Sequence, residues 1–421
     1  MSTGNITLNR APAYRFVVLA IGILVYMQTY MSLQLSSTYG AFIQMQGHLS
    51  VTQLGILYSA CILGIAITSI FTGSVSAKIG GKNTIILGLA IQVIIALSFT
   101  VVSSNYSSLM VLRFLQGVSG GLLQGTILGL AAVWFPASER GMALGFLQGF
   151  FGIALSIMTF LGPLTTNAGL SWQVGGAAIL GVSGVAMAII FFLFFKEVQV
   201  AYPGVGIIDE LLPQAETAQA ASDVSDNSVK PKNFGEAFRL PRFWLMMGST
   251  FCNCFTSFGL AFVIPLLLSV QMKLSAAQTT ALLGATFFST LIASPLGGWL
   301  SDKLFKSKRS PVVIIGYALT LICLLIIPKT PIAIIGVVLF ICFGAPPLMN
   351  GPFWCLPAEE FDPSFIIKVT GFLTFVTFIG GVIGGALLGY MADVTHSVFA
   401  PLYFLVGIVT VGLLCGIGIK K

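Results

Sequence analysis

Long apolar stretches alternate with short polar connections along almost the whole chain. An α-helix needs roughly 20 mostly apolar residues to cross a bilayer core about 30 Å thick. Twelve stretches reach this length. They cover residues 16–36, 53–75, 83–102, 108–134, 141–164, 173–195, 243–269, 278–300, 311–328, 331–355, 366–391 and 398–418. The pattern therefore predicts an all-α membrane protein with twelve transmembrane helices.

One connection, residues 196–242, is much longer than the others and separates six predicted helices from six. It is rich in Ala, Gln, Asp, Glu and Ser and has no apolar period, which is typical of a mobile linker. We therefore expect an N-terminal six-helix bundle (1–195), a cytoplasmic linker (196–242) and a C-terminal six-helix bundle (243–421).

The composition agrees with a membrane location. Only 8% of the residues are charged and 56% are hydrophobic, whereas a soluble domain has about 25% charged residues. Most of the outer surface must therefore face lipid. The seven cysteines all lie in apolar stretches without a metal-binding spacing. We interpret them as small buried side chains and expect no metal or other cofactor.

Basic residues set the orientation, because Lys and Arg concentrate in cytoplasmic connections. With the N-terminus inside, Lys273 and Lys329 fall outside and Arg113 lies within a helix, which leaves seventeen of the 20 basic residues in the cytoplasm. Both termini and the linker are therefore predicted to be cytoplasmic, and we expect a bacterial plasma (inner) membrane. This asymmetry explains the net charge of +7 without a nucleic-acid partner.

The two halves of the chain repeat one pattern. Residues 134–139 (WFPASE) end one predicted helix, and residues 354–360 (WCLPAEE) end the corresponding helix of the second half. Residues 73–78 (GSVSAK) similarly match residues 298–303 (GWLSDK). Two six-helix repeats in the same orientation are typical of transporters whose two bundles rock around a central substrate site.

At these residues the sequence resembles the major facilitator superfamily. The loop motif of that superfamily, G-x-x-x-D-[RK]-x-G-[RK]-[RK], corresponds to residues 73–82, where Ala77 replaces the acid, while Asp302 keeps it in the second half. The motif R-x-x-Q-G-x-x-x-G is intact at residues 113–121. The resemblance covers nearly the whole chain and implies a secondary transporter with twelve helices in two bundles. We expect it to be a monomer.

The branch of the superfamily stays open at this point. Residues 236–244 (EAFRLPRFW) resemble the oxalate/formate and monocarboxylate carriers. The oxalate-type carriers have cationic residues in helices eight and eleven, however, where uncharged Ser294 and Leu373 stand here. The run from Trp134 to Gly141 resembles the anion:cation symporters equally well.

Arg113 is the one charged residue in the interior of the twelve apolar segments, since Lys368 lies at the cytoplasmic end of its segment. A charge at mid-membrane costs at least about 2.5–3.5 kcal/mol on insertion scales, so its side chain needs a partner or an aqueous cavity. One interpretation is structural, with the guanidinium at the outer interface or on backbone carbonyls. The other is that it binds or gates an anion, since its planar fork matches a carboxylate, sulfonate or phosphate. The superfamily motif favours the second interpretation.

Polar side chains on several other segments are candidates to line a substrate path with Arg113. Each has a structural alternative, because such side chains also bridge helices or bond their own helix backbone. The candidate substrate-binding residues are Tyr26, Tyr30 and Gln34 in segment one, Arg113, Gln116 and Gln124 in segment four, Asn253 in segment seven, Asn350 in segment ten, and Thr374 and Thr377 in segment eleven.

Glycine and proline positions predict local geometry. Gly117, Gly121, Gly125 and Gly129 form a row on segment four, and a matching row on segment five contains Gly141, Gly145 and Gly149. Such rows predict close contacts between helices. Segment ten has prolines at positions 346, 347 and 352, which predict a broken helix.

Charged residues at the predicted cytoplasmic helix ends form a second candidate group. Their ion pairs and helix-end contacts are expected to hold the cytoplasmic side closed and to break as the bundles rock. The alternative is that they serve only topology and solubility. The candidate gating residues are Lys78, Lys82, Glu139, Arg140, Asp302 and Lys303.

These observations favour a secondary carrier of a small organic anion, acting as an antiporter or proton symporter. No Asp, Glu or His lies inside a predicted segment. The carrier would therefore move a proton on the substrate's own carboxyl group, exchange anions, or equilibrate its substrate. The 34 Phe residues and Gly162-Pro163, which partly resembles an antiporter motif, support the alternative of an exporter of hydrophobic or drug-like compounds. An enzyme is disfavoured, because both histidines lie in loops and no catalytic constellation is present.

The predicted orientation can be tested by labelling. Asp226→Cys and Lys420→Cys variants should react with a membrane-impermeant maleimide only after the cells are permeabilised, because both positions lie in predicted cytoplasmic regions. The unsubstituted protein, with its seven native cysteines, gives the background signal. Labelling of either position in intact cells would refute the assignment.

Overall fold

A computed structural model describes residues 11–49, 51–102, 105–203, 205, 208–211, 230–274, 276–306, 308–362 and 365–419. Within these residues, 12 helices are long and apolar enough to cross a membrane. The predicted all-α membrane fold is therefore confirmed. The two positions chosen for labelling, Asp226 and Lys420, lie outside the described residues.

The membrane-spanning helices are numbered α1 to α12 in chain order. The first six are α1 (Tyr14–Thr38), α2 (Val51–Ile79), α3 (Gly81–Val102), α4 (Tyr106–Trp134), α5 (Ala137–Gly149 and Phe151–Asn167) and α6 (Trp172–Phe194). The second six are α7 (Pro241–Val270), α8 (Ala276–Phe287 and Ser289–Trp299), α9 (Ser310–Ile326), α10 (Ile332–Leu348 and Asn350–Glu360), α11 (Ile366–Thr395) and α12 (Phe399–Gly418). A short helix, Gly40–Gly47, lies between α1 and α2.

Local side-chain chemistry fixes where several helices begin. The Asn105 side-chain oxygen accepts a hydrogen bond from the backbone N–H of Ser108 at 2.8 Å and so caps α4. Ser171 caps α6 in the same way. The helices α7 and α9 have a proline in the first turn instead. A proline is tolerated there because its missing N–H leaves no helix bond unmade.

The helix α10 is divided at Met349, which confirms the predicted break in segment ten. Pro346 and Pro347 lie just before this point and have no N–H to donate to the carbonyls of Cys342 and Phe343. Two consecutive helix bonds are therefore missing. The second part of α10 starts at Asn350, a candidate substrate-binding residue.

Helices within the N-terminal half approach each other closely at glycine. A Cβ added to Gly117 of α4 would lie 1.9 Å from the Cys61 carbonyl oxygen of α2, and one added to Gly64 would lie 2.3 Å from the Phe114 carbonyl oxygen. Any larger side chain at these positions would force α2 and α4 apart. The close contact predicted for the glycine row of segment four is confirmed, and its partner is α2.

The two halves contact each other through two equivalent helix pairs. A Cβ added to Gly145 of α5 would lie 2.7 Å from the Ser294 carbonyl oxygen of α8. One added to Gly371 of α11 would lie 2.7 Å from the Ser69 carbonyl oxygen of α2. These glycines and serines occupy matching positions of the sequence repeat. The glycine row of segment five therefore contacts the opposite half, and the repeat makes the same backbone contact twice.

Apolar clusters show where the two halves share a core. The largest cluster fills the N-terminal half and also includes Cys254 and Phe378 of the C-terminal half. A second cluster fills the C-terminal half. In proteins built from two such repeats, the boundary between the halves is where substrates bind. The shared cluster therefore marks the region in which to look for a site.

The described parts of the linker pack against the bundles. Val198, Ile208 and Leu211 are buried in the core of the N-terminal half, and Phe234 packs against the C-terminal half near Phe365. This differs from the expectation of a mobile segment, because a few isolated apolar residues can anchor a connection without producing a helical period. The two ends of the linker are thus attached to different halves.

The α2–α4 contact gives a test of the packing. Gly117→Ala should lower the thermal unfolding midpoint, because the added methyl group would overlap the Cys61 carbonyl oxygen, and overpacking of this kind costs about 1–3 kcal/mol. Gly129→Ala is the matched control on the same helix, since a Cβ there would have no neighbour within 4 Å. Midpoints would be measured in detergent, and equal midpoints for both variants would contradict the close contact.

Candidate functional site

The guanidinium of Arg113 connects α4 to α1. Arg113 is only 2% exposed. Its Nη1 donates to the carbonyl oxygen of Ser32 at 2.8 Å and also to Oε1 of Gln116, and its Nη2 donates to the carbonyl oxygen of Leu33 at 2.8 Å. The structural interpretation considered from the sequence therefore holds for the two bonds to backbone carbonyl oxygens. The three bonds do not use every N–H group of the guanidinium.

Two N–H groups of Arg113 remain after these bonds. A guanidinium has five N–H donors, and three are used, which leaves one on Nε and one on Nη2. In the part of the chain that the structure describes, Nε has no hydrogen-bond partner, and neither has Nε2 of the adjacent Gln116. A buried donor without a partner costs about 1–3 kcal/mol. These donors together form a place where an acceptor oxygen would be stabilised.

Tyr26 and Tyr30 lie next to each other on α1. The Tyr26 hydroxyl donates to the Tyr30 hydroxyl at 3.3 Å, and the ring centroids are 4.9 Å apart. The Tyr30 ring also meets the Phe151 ring edge-on at 4.7 Å. Gln124 of α4 lies within hydrogen-bonding reach of the Tyr30 hydroxyl. The structure therefore brings three of the predicted residues together.

Gln34 makes a different contact from these tyrosines. Its side-chain amide donates to Oγ1 of Thr159 at 3.4 Å, which connects α1 to α5 within the N-terminal half. The described contacts therefore place Gln34 in a helix-to-helix contact, apart from Arg113 and Gln124.

In the C-terminal half, Asn253 of α7 and Asn350 of α10 pair directly. The Asn253 side chain donates to the side-chain oxygen of Asn350 at 3.0 Å, and the oxygen of Asn253 has no partner among the described residues. Thr374 donates to the backbone of its own helix. Thr377 does the same and also bonds the Thr250 hydroxyl. The asparagine pair is thus more available to a ligand than the Thr374 and Thr377 hydroxyls, which already have partners.

Two residues that sequence reasoning missed bridge the halves beside Arg113. The rings of Tyr58 on α2 and Phe258 on α7 have centroids 6.2 Å apart. Tyr58 is close enough to Arg113 to interact with its charge. A tyrosine near the predicted outer end of a segment is typical of an interfacial belt, so the pattern alone did not select Tyr58. Nothing in the sequence distinguished Phe258 from the other phenylalanines.

Asp302 lies in the π-helical turn Leu300–Leu304 that directly follows α8, and it forms the main polar contact in the candidate gating group. Its carboxylate pairs with Arg309, which also pairs with Glu359 at 2.7 Å. The same carboxylate faces α5 of the opposite half, since a Cβ added to Gly141 would lie 2.9 Å from Oδ2. Burial raises the pKa of the Glu359 carboxyl, and the Arg309 charge opposes this shift.

The other candidate gating residues have contacts of different kinds. Lys82 donates to the carbonyl oxygens of Phe192 and Phe195 at the end of α6. Glu139 pairs with Arg15 at 2.9 Å. Arg140 donates to the carbonyl oxygens of Ala132 and Phe135. Lys78 and Lys303 are exposed to solvent. These contacts stabilise helix ends within the N-terminal half.

Comparison with known proteins identifies the family. The model described as Major Facilitator Superfamily matches residues 18–385 of the chain. The chain belongs to the major facilitator superfamily. It is therefore a secondary transporter and not an enzyme, and the predicted superfamily membership is confirmed.

Relatives of this major facilitator protein have anions in their names. The hexuronate transporter of Bacillus subtilis is 24% identical over 389 residues, covering 87% of this chain and 85% of the relative. A probable sulfoacetate transporter of Cupriavidus necator is 23% identical over 420 residues, covering 96% and 94%. The phosphoglycerate transporter protein of Salmonella typhimurium is 23% identical over 391 residues, covering 89% and 81%.

A solved structure shows the same fold. The proton:xylose symporter XylE superimposes with a TM-score of 0.73 at 15% sequence identity, over 97% of this chain and 95% of that one. At this identity the likeness concerns the fold alone. It agrees with the twelve-helix architecture of the major facilitator protein described above.

The asymmetry between Ala77 and Asp302 makes the gating role of this major facilitator protein testable. Asp302→Asn should increase the cytoplasm-open population, because it removes a charge that faces the N-terminal part of α5. A loss of about 1–2 kcal/mol would change the ratio of states about 5–30-fold. Ala77→Asp should act in the opposite direction. Double electron–electron resonance between spin labels at exposed Lys78 and Lys308 would report the populations.

Glu360→Gln is the control for this experiment. It breaks the Arg242–Glu360 pair, at 3.1 Å, which lies wholly within the C-terminal half. Its distance distribution should match that of the parent protein. Unchanged distributions in both Asp302→Asn and Ala77→Asp would mean that these positions serve topology only.

Proposed function

We propose that this transporter is a secondary carrier of a small, carboxylate-like organic anion, working by alternating access between its two halves. The observation that carries the proposal is the unused edge of the Arg113 guanidinium. One free N–H group is on Nε and the other is on Nη2. A guanidinium can bind a carboxylate in a bidentate manner through these two nitrogens. The free Nε2 of Gln116 adds a third donor beside them.

Binding at this edge would keep α1 in place. The bonds from Arg113 to the carbonyl oxygens of Ser32 and Leu33 use other N–H groups, so an anion need not displace them. Hydrogen bonds to a charged group contribute about 1.5–3 kcal/mol each. An anion would therefore gain affinity without paying the cost of breaking the α1–α4 connection.

The remaining candidates would complete the site from both halves. Tyr26, Tyr30 and Gln124 belong to the N-terminal half, and the Asn253–Asn350 pair with Thr374 and Thr377 belongs to the C-terminal half. A substrate held between them would contact both bundles. Its contacts would change when the halves rock, which is the requirement for alternating access.

The relatives support an anionic substrate. The names hexuronate, sulfoacetate and phosphoglycerate all denote organic anions, and these relatives are covered over at least 81% of their length. We further propose a monomer in a bacterial plasma membrane with both termini in the cytoplasm. Transport would be by anion exchange, or by proton symport with the proton on the substrate's own carboxyl group.

Export of hydrophobic compounds is the second candidate. A tetracenomycin C resistance and export protein of Streptomyces glaucescens is 27% identical over 131 residues, which cover 31% of this chain. The Gly162-Pro163 pair on α5, which partly resembles an antiporter motif, also supports this second function. The experiment on Arg113 separates the two functions.

Arg113→Gln should abolish or severely reduce anion uptake, because it removes both the charge and the binding edge. Arg113→Lys keeps the charge and should retain part of the transport, with an affinity loss of about 1–3 kcal/mol, the scale of a charge-assisted hydrogen bond. Uptake of a labelled panel of organic anions would be measured in proteoliposomes containing equal amounts of each variant, with and without a proton gradient.

A folding control is needed, because Arg113 also connects α1 to α4. Each variant would be compared with the parent by size exclusion and thermal unfolding before reconstitution. Transport by a folded Arg113→Gln variant at the parent rate would exclude anion binding here and favour hydrophobic export.

A further inference from the structure

Charge limits what can bind at the proposed site. Arg113 is the one ionisable residue within the interior of the apolar segments. One guanidinium neutralises one negative charge. A dianion, such as a phosphate monoester, would leave an uncompensated negative charge in a low-dielectric region, and such a charge is costly to bury.

Two groups of aromatic rings lie in this region. On α1 and α5, ring centroids are 4.9 Å apart between Tyr26 and Tyr30 and 4.7 Å apart between Tyr30 and Phe151. Across the two halves, the Tyr58 ring, which is near the Arg113 charge, lies 6.2 Å from the Phe258 ring. Edge-to-face and offset arrangements at these distances are the favourable geometries for aromatic groups. A flat or apolar substrate body would find similar partners here.

The C-terminal half adds apolar surface at the same place. Cys254 and Phe378 belong to the shared cluster, and Phe258, Phe375 and Ile379 pack against it. Hydroxyl groups in this region are largely used, since the Tyr26 hydroxyl is bonded to Tyr30 and the Thr374 hydroxyl to its own helix. A substrate body made largely of hydroxyl groups would lie mainly against apolar side chains here.

From the single charge and the aromatic surroundings, we infer that the substrate is a monovalent carboxylate with an aromatic or otherwise apolar body. This inference rests on the anion-carrier function proposed above and narrows it. The carboxylate takes the free edge of Arg113 and the amide of Gln116. The body lies among the rings of Tyr30, Tyr58 and Phe258. The inference separates this chain from relatives named for hexuronate and phosphoglycerate.

A four-substrate comparison tests the inference on the intact protein. Labelled phenylacetate and 4-hydroxybenzoate represent aromatic monocarboxylates, glucuronate represents hydroxylated acids, and 3-phosphoglycerate represents phosphorylated ones. Uptake would be measured in proteoliposomes at equal concentration, with passive flux in empty liposomes subtracted. The aromatic acids should be taken up at least about tenfold faster than the other two, and Arg113→Gln should remove this difference.

A matched pair of variants at Tyr58 tests the role of the ring. Tyr58→Phe keeps the ring and should change the half-saturation concentration for the aromatic acids less than about threefold. Tyr58→Leu removes the ring and should raise it about tenfold, the upper scale of an aromatic pair. Equal effects of the two substitutions on folded protein would overturn the assignment of the ring to the substrate body.

The outcomes separate the two levels of proposal. Faster uptake of glucuronate or 3-phosphoglycerate that depends on Arg113 overturns the aromatic substrate class and leaves the anion carrier standing. If none of the four acids is taken up in an Arg113-dependent manner, both the aromatic substrate class and the anion-carrier function are overturned. The ranking of the four acids is measured on the parent protein, and dependence on Arg113 is measured only with variants that match the parent in size exclusion and thermal unfolding. Where Arg113→Gln fails to fold, Arg113→Lys takes its place.

Discussion

A guanidinium buried inside a membrane protein needs an acceptor for nearly every N–H group, and this requirement organises the N-terminal half. Arg113 finds acceptors in the carbonyl oxygens of Ser32 and Leu33 and in the side chain of Gln116. These bonds fix α1 against α4. Under the proposed function, the N–H groups that remain would set where a ligand binds and which charge it carries. Helix packing and ligand chemistry thus depend on the same side chain.

Ion pairs within each half complement this arrangement. Arg15 pairs with Glu139 in the N-terminal half, and Arg242 pairs with Glu360 in the C-terminal half. Arg15 and Arg242 lie at the starts of the corresponding helices α1 and α7, and Glu139 and Glu360 lie in the matching motifs at residues 134–139 and 354–360. Partly exposed pairs of this kind contribute little free energy. Their repetition in both halves nevertheless indicates that each bundle keeps its internal contacts as a unit.

Much of the fold followed from the sequence, because membrane spans are long, apolar and easily counted. The helix number came from the apolar stretches, the repeat from two pairs of matching motifs, and the break in α10 from its prolines. Periodicity also gave the face on which the glycines of α5 lie. It could not give the partner of that face, which is α8 in the other half and not α4.

The candidate site was only partly accessible from the sequence for a related reason. Tyr58 and Phe258 matter because two distant segments meet, and neither residue type is unusual in an apolar helix. The face that Gln34 shares with Tyr30 could be read from the sequence, but its hydrogen bond to Thr159 of α5 could not. The linker residues Ile208 and Leu211 were likewise missed, because two buried side chains make no periodic pattern.

The contact between the halves has a consequence for the energy of the transport cycle. At Gly145 and Gly371 the halves meet through backbone atoms, so neither residue has a side chain that must repack when the halves separate. Such surfaces hold two arrangements close in free energy. A ratio of states is inverted from 1:99 to 99:1 by a differential affinity of only about 5.5 kcal/mol. A few charge-assisted hydrogen bonds supply that amount, so a ligand of modest size can determine which side of the membrane the protein faces.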